Sequence, residues 1–323
     1  MISVLLLDFG GPETADDVRP FLKNLFSDKN IFPFPVGQEI FANLMAKFRA
    51  PKVAAHYGKI GGGSKAPKQT LALAAEIEKS LQSANLDVRI CVGMRYWKPF
   101  IDETLRQIAE AKPSGILVIP MFPHYSTATT LSVLQEFQKA YDRQKILIPY
   151  QIVEWWYDHP QFIAAWCFSI KRALDKFEEK IRQQVPILFT AHGLPESFVR
   201  ERKDPYPKQI KESAEKIMTY LGGTNPSYLS YQSKVGPIEW LKPSTIEFVK
   251  ELALKGTKNL ILVPISFLTD HIETLYEIDL EIIPVAKQAG MEQAVCCEAL
   301  IHTPYLKKAL EEILLKKLPA LLR

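Results

Sequence analysis

The sequence predicts an α/β protein of two similar domains, each a mostly parallel sheet with helices on both faces. Three observations carry that prediction. Short apolar, β-branched-rich runs that end in Pro or Gly alternate with longer stretches of helical period. Eight such runs occur, at 3–9, 88–92, 115–120 and 145–151 in the first half and at 186–191, 228–232, 259–264 and 293–299 in the second. The halves also share punctuation: Phe9-Gly10-Gly11-Pro12 parallels His192-Gly193-Leu194-Pro195, and Ile119-Pro120 with Tyr125-Ser126 parallels Val263-Pro264 with Ser266 and Asp270. The domains implied are 1–152 and 153–323.

The first run, Ser3-Val4-Leu5-Leu6-Leu7-Asp8-Phe9, has no basic stretch before it and no small-residue cleavage site after it, so it reads as a strand and not as a signal peptide. From Gly10 to Pro120 there are 110 positions and from Gly193 to Pro264 there are 71, so the first half carries 39 extra residues. Most fall at about 28–64 and read as an inserted helical or loop element. Within it Gly61-Gly62-Gly63-Ser64-Lys65 follows a helical pattern instead of a strand, which fails the context for cradling phosphate; a flexible loop is the plainer reading. The run 306–318 is amphipathic and basic, and reads as a helix that docks on the first domain, with peripheral membrane contact left open.

Composition bounds the rest. With 323 residues, 47% hydrophobic and 24% charged, either domain can bury a core, and disorder, collagen and coiled coil are excluded. Forty Lys and Arg against 36 Asp and Glu leave +4, too little and too dispersed for a nucleic-acid footprint. Cys91, Cys167, Cys296 and Cys297 show no CxxC spacing and read as reduced thiols. No uncharged apolar run reaches about 18 residues, so no segment spans a bilayer. The expected location is cytoplasmic, with the inner membrane face as a peripheral option.

In open parallel sheets chemistry gathers just past the strand ends. There the sequence places Gly93-Met94-Arg95-Tyr96-Trp97, Met121-Phe122-Pro123-His124-Tyr125-Ser126, His192-Gly193-Leu194-Pro195, Gln232-Ser233-Lys234-Val235-Gly236-Pro237 and Ser266-Phe267-Leu268-Thr269-Asp270-His271. His192 at a strand end is a candidate proton acceptor or metal ligand, since imidazole titrates near neutrality. Residues 270–281 hold five carboxylates and no Lys or Arg. On an α-helix Glu273, Glu277 and Glu281 form one row, and uncompensated like charges suggest a metal or proton path. The plainer alternative has the row facing water, Asp270 capping the helix and Asp279 solvated. His56, His159 and His302 read as structural, and His124 is left undecided.

These segments resemble a ferrochelatase, the enzyme that inserts Fe²⁺ into a porphyrin at the end of haem synthesis. The likeness runs in order through Leu7-Asp8-Phe9-Gly10-Gly11-Pro12-Glu13-Thr14, Gly61-Gly62-Gly63-Ser64, Gly93-Met94-Arg95-Tyr96, Pro123-His124-Tyr125-Ser126, Thr190-Ala191-His192-Gly193-Leu194-Pro195, Asp204-Pro205-Tyr206-Pro207, the Gln232 to Pro237 segment with Trp240, and Asp270-His271-Ile272-Glu273-Thr274-Leu275. The resemblance implies two flavodoxin-like, chelatase-type domains, each with a four-stranded parallel sheet flanked by helices. It implies His192 and Glu273 as the catalytic pair, supported by Asp270 and His271, and as the metal-binding residues, with Glu277 and Glu281 continuing the path on a helix that contains a π-type turn. It implies Phe9, Arg95, Tyr96, Tyr125, Trp240 and Phe267 as ring-binding residues, and Arg49, Lys52 and Ser64 near the propionates.

Within the insertion, Ile31-Phe32-Pro33-Phe34-Pro35 and Ile40-Phe41 would form an apolar lip, with core packing as the alternative for its aromatics. The substrates implied are protoporphyrin IX and Fe²⁺, with no permanently bound cofactor and no [2Fe–2S] cluster. Phe9 departs from the Met or Tyr of relatives at a position tied to the choice of porphyrin. The competing readings are a coproporphyrin III ferrochelatase, a sirohydrochlorin chelatase of the same architecture, and a non-enzymatic porphyrin or haem carrier, which would need no acidic row. A monomer and a homodimer are both compatible with the sequence.

Overall fold

The structure is a computed structural model that describes residues 1–34, 36–234 and 236–321; Pro35 of the expected lip and Val235 lie outside them. Two compact units divide the chain. The first comprises Met1–Trp156 together with the chain from Lys307 on, and the second is Tyr157–Leu306.

In the first unit β1 (Ile2–Asp8), β2 (Val88–Met94), β3 (Ile116–Pro120) and β4 (Tyr150–Ile152) form a parallel sheet in the order β2-β1-β3-β4. β1 is apolar at nearly every position because it is buried on both faces, the pattern of a central parallel strand. Around the sheet lie α1 (Val18–Phe26), α2 (Gln38–Lys59), α3 (Ala66–Ser83), α4 (Ile101–Ala111) and α5 (Thr130–Arg143). Leu5, Leu7 and Val118 of the sheet pack against Ile101, Leu105 and Ile108 of α4 and Val133 and Phe137 of α5.

The inserted element is a loop followed by the 22-residue α2. Gln38 ties the loop down: its Nε2 donates to the carbonyls of Phe26 (2.6 Å) and Phe32 (2.9 Å), and its Oε1 accepts the Phe34 N–H (3.1 Å). Phe32 packs on Phe26 and Phe34 stacks on Phe41, while Phe34 and Ile40 stay largely exposed. The strand expected at 145–151 is displaced towards its end. Lys145 adopts φ 53° and Ile146 N–H bonds back to the Tyr141 carbonyl, so the apolar residues after it close the end of α5 before pairing begins.

The second unit repeats the order as β6-β5-β7-β8, from β5 (Ile187–His192), β6 (Ser227–Gln232), β7 (Asn259–Pro264) and β8 (Gln293–Cys296). Its helices are α6 (Pro160–Leu174), α7 (Glu196–Arg202), α8 (Tyr206–Leu221), α9 (Thr245–Leu254), a π-helix over Ile272–Ile282 and α10 (Ile283–Gln288). Ile278 and Ile282 of the π-helix bury themselves with Leu188, Leu260 and Leu262 of the sheet, which turns the carboxylates of that helix away from the core.

α11 (Pro304–Leu321) belongs to the first unit from Lys307 on. Leu310, Ile313, Leu314 and Leu318 are buried, and Lys308, Lys316 and Lys317 face water. Most of its apolar stripe is therefore occupied by protein, with Leu315 left exposed. Among the described residues no helix is long and apolar enough to cross a membrane.

Candidate active site

The strand order of the second unit reverses between β5 and β7, the point at which open parallel sheets bind ligands beyond their carboxyl ends. His192 is the last residue of β5, and its backbone N–H donates to Ser266 Oγ just after β7 (3.1 Å). Gly193 follows because a Cβ there would stand 2.8 Å from the Gln232 carbonyl oxygen and 3.4 Å from the Trp240 ring. That close approach lets the Gly193 N–H donate to the same carbonyl (2.8 Å).

His192 Nδ1 lies 2.9 Å from Glu273 Oε2, at the start of the π-helix. The pair keeps 37% and 29% side-chain exposure, so a ligand can reach it. Burial opposes charge on His192, but the Glu273 carboxylate, through space and through the hydrogen bond, with Glu277 beyond, holds its pKa above the ordinary value. Burial likewise opposes charge on Glu273, and the His192 and His271 rings overcome it, bringing the carboxyl down to about 2.

A second set of contacts fixes Glu277. Gln232 at the end of β6 donates its Nε2 to the Glu273 carbonyl (2.9 Å) and to Glu277 Oε2 (3.2 Å). The Ser233 N–H donates to Glu277 Oε1 (2.6 Å) and its hydroxyl to Oε2. The Thr190 hydroxyl donates to Gln232 Oε1 (2.9 Å), which orients the amide. Burial and the neighbouring Glu273 charge raise the Glu277 pKa, with the Ser233 bonds opposing.

Other expected residues fall differently. Asp270 does not join the His192–Glu273 pair; its Oδ2 lies 2.8 Å from Nε2 of His302. Nor does it cap the helix: His271 does, with Nδ1 accepting the Glu273 N–H (3.1 Å), and burial lowers its pKa. Its ring packs edge-on against Phe267 (4.5 Å), which also faces His192. Glu281 is exposed at the far end. Asp279 is not freely solvated; burial and the Asp270 charge raise its pKa to about 6, and with Asp270, Cys296 and His302 it lines a cavity of about 650 Å³. Because Ile272–Ile282 makes i→i+5 bonds throughout, the carboxylates do not form the straight α-helical row that i, i+4 spacing suggested.

In the first unit Phe9 ends the β1 segment, half-buried against Tyr96 (4.9 Å) and Phe122 (4.7 Å). Arg95 is 20% exposed, with NH1 3.3 Å from Glu136 and Nε 3.7 Å from Asp28. Tyr96 has no exposed surface, so it is not a wall residue; its hydroxyl donates to Asp28 (2.6 Å). Ser64 is buried, its N–H donating to the Pro12 carbonyl (2.7 Å), so it braces the turn after β1 and offers no surface to a carboxylate. Arg49 and Lys52 lie three residues apart on α2, half-buried and exposed respectively. Tyr125 and, in the second unit, Trp240 are half-buried. His124 is enclosed, and burial takes its pKa down to about 3.

Sequence reasoning gave no individual role to Gln232, Ser233 or Asp28 and read His302 as structural. The available signal for the first two was their place at a strand end; Ser233 adopts φ 67°, which short polar residues tolerate best.

Comparison with known proteins bears on this arrangement. The family model Ferrochelatase matches residues 1–318. The chain is 42% identical over 322 residues to a ferrochelatase of Rippkaea orientalis, covering 98% of this chain and 82% of that one. It is 39% identical to a ferrochelatase of Synechocystis (98% and 82% covered) and 40% identical to the chloroplastic/mitochondrial ferrochelatase-1 of Arabidopsis thaliana (99% and 70%). Among solved structures it resembles SirB from Bacillus subtilis with Fe³⁺, TM-score 0.57 at 11% identity (98% and 94% covered). The cobalt complex of the sirohydrochlorin chelatase SirB gives TM-score 0.54 at 10% identity (95% and 91%). Those likenesses identify the fold as chelatase-type.

Proposed function

The chain belongs to the ferrochelatase family, metal chelatases that make haem by inserting Fe²⁺ into protoporphyrin, and from that premise we propose how its own residues divide the reaction. Metal insertion requires two pyrrole N–H protons to leave while Fe²⁺ sheds its waters. His192 accepts a pyrrole proton at Nε2. The observation that carries this role is the bond from its Nδ1 to Glu273, which leaves Nε2 with the lone pair in the neutral ring and stabilises the imidazolium that forms. Glu277, clamped by Gln232 and Ser233, takes the next position for a proton or for the incoming cation.

Phe9, Arg95, Tyr125, Trp240 and Phe267 bind the ring, and binding energy from such walls supports the bent ring that presents nitrogen lone pairs out of plane. Arg49 and Lys52 meet the propionates, and the Phe32–Phe34 loop with Ile40 and Phe41 serves as the lip. The absence of a [2Fe–2S] cluster belongs to the same proposal: Cys91, Cys167, Cys296 and Cys297 show no CxxC spacing and do not match the ligand set of cluster-bearing members.

The test is anaerobic Fe²⁺ insertion with protoporphyrin IX and coproporphyrin III offered separately to the wild type and to His192→Ala and Glu273→Gln. Turnover of protoporphyrin that collapses in both variants is the expected result. Undiminished turnover in His192→Ala would remove the acceptor role, and porphyrin binding without turnover in the wild type would point to a carrier.

A further inference from the structure

Asp28 opens the inserted element and is 3% exposed, yet it is a carboxylate. Burying such a group is costly unless donors and a cation compensate, and here they come from three separate segments. Its Oδ1 accepts the backbone N–H of Asn30 (2.8 Å), which shapes the first turn of the lip loop. Its Oδ2 accepts the hydroxyls of Tyr96 (2.6 Å), after β2, and Ser132, in α5. Arg95 Nε stands 3.7 Å from the same oxygen, beyond a hydrogen bond but close enough for a strong charge attraction. The carbonyl of Asp28 also accepts from Phe32 N–H (2.9 Å).

Arg95 is thus suspended between two carboxylates, Asp28 on one side and Glu136 at 3.3 Å on the other. Its backbone is fixed, since Arg95 N–H donates to the Asp8 carbonyl (2.8 Å) and Tyr96 N–H to the Phe9 carbonyl (2.9 Å). What remains adjustable is the guanidinium. If the Asp28 charge were absent, the attraction of Glu136 alone would draw the group away.

We infer that Asp28 is a positioning residue for porphyrin binding, a buried anion that holds the Arg95 guanidinium in place and couples it to the first turn of the lip. The inference rests on the reading of Arg95 as a porphyrin contact. Asn at position 28 is nearly isosteric: its oxygen can still accept from Asn30, and the Tyr96 and Ser132 hydroxyls can rotate to accept from the amide. Asp28→Asn therefore removes the charge and little else.

The experiment measures kcat and porphyrin KM for wild type, Asp28→Asn, Arg95→Ala and the double variant, with circular dichroism as a check on folding. Asp28→Asn should raise KM about tenfold and leave kcat within about twofold, since the charge that holds Arg95 in place is lost from ground-state binding and not from the chemical step. In the Arg95→Ala background it should add nothing. A normal KM in Asp28→Asn, or an increase that multiplies that of Arg95→Ala, overturns the inference while the Arg95 contact stands. If Arg95→Ala itself leaves KM unchanged, the reading of Arg95 falls and this one with it. Should Asp28→Asn not fold, Tyr96→Phe removes one donor to the carboxylate and should raise KM by a smaller factor, again only when Arg95 is present; independence from Arg95 overturns the inference there too.

Discussion

The two units share one strand order, and each places a histidine in the neighbourhood of its strand ends, but the two histidines are opposites. His124, in the loop after β3, is enclosed, and burial alone takes its pKa down to about 3. His192, at the end of β5, also suffers burial, yet its pKa rises because the Glu273 carboxylate meets its Nδ1 at 2.9 Å. The difference lies in the helix that comes after the third strand of each unit. Past β3 the chain enters an ordinary α-helix, α5, with no acidic residue in its first turn; past β7 it enters a π-helix whose second residue is Glu273. A strand-end position alone does not make a histidine a proton acceptor. A carboxylate delivered by a second element does, because it compensates the desolvation that would otherwise hold the ring neutral and inert.

The comparison breaks most severely at His192. Replacement by Ala removes the acceptor and should lower kcat by about 10²–10⁴-fold, read in an anaerobic stopped assay; a loss of less than tenfold would mean that another group takes the proton. Glu273→Gln comes next, with an expected loss of about ten- to a hundredfold and a change in pH dependence. His192 accepts only when neutral, so the wild-type rate falls as pH drops through its raised pKa. With the Glu273 carboxylate gone, only the Glu277 charge still opposes burial and the acid limb should move to lower pH. A limb that stays in place in the pH profile of kcat would detach the pair from the rate.

Much of this was legible in the sequence, for identifiable reasons. Each of the eight strands overlaps its expected run, most fully the central β1, β3, β5 and β7, which are buried on both faces and so admit little but apolar residues. His192 was legible from its place at the end of a strand, and Glu273 as its partner from the family resemblance. The clamp was not: Gln232 and Ser233 reach Glu277 only because the end of β6 and the π-helix are brought side by side, and no local pattern encodes that. The pairing of Asp270 with His302, 32 positions away, was hidden for the same reason. Local spacing suggested an α-helical acidic row and an Asp270 cap, whereas the segment is a π-helix, as the resemblance but not the spacing implied, and His271 caps it. Tyr96 was read as a ring contact because the family resemblance implied it, but its hydroxyl serves Asp28 instead.

A smaller effect should come from loosening the clamp. Ser233→Ala removes the hydroxyl donor to Glu277 but keeps the backbone one, so Glu277 should be protonated more readily and kcat should fall by a few-fold. The loss should ease as pH rises and the carboxylate ionises; a pH-independent loss would show that the serine acts on packing instead.

The smallest effect on rate is expected at His124, and there the two histidines separate in stability. The unfolded chain binds a proton at His124 as pH falls below 6.5, but the folded chain resists until about 3, so the unfolded state takes up more protons across that window. Folding should therefore weaken by about 1.4 kcal/mol for each pH unit in that range through this one group. His192 runs the other way: its folded pKa is raised, so its contribution is fully present below the unfolded value and is lost as pH rises through the folded one. His124→Gln should accordingly leave the acid limb of kcat unmoved while flattening the fall of Tm between about pH 6.5 and pH 4. A shifted limb would place His124 in the reaction and erase the contrast between the units. An unchanged Tm slope would mean that the ring is not held neutral by burial.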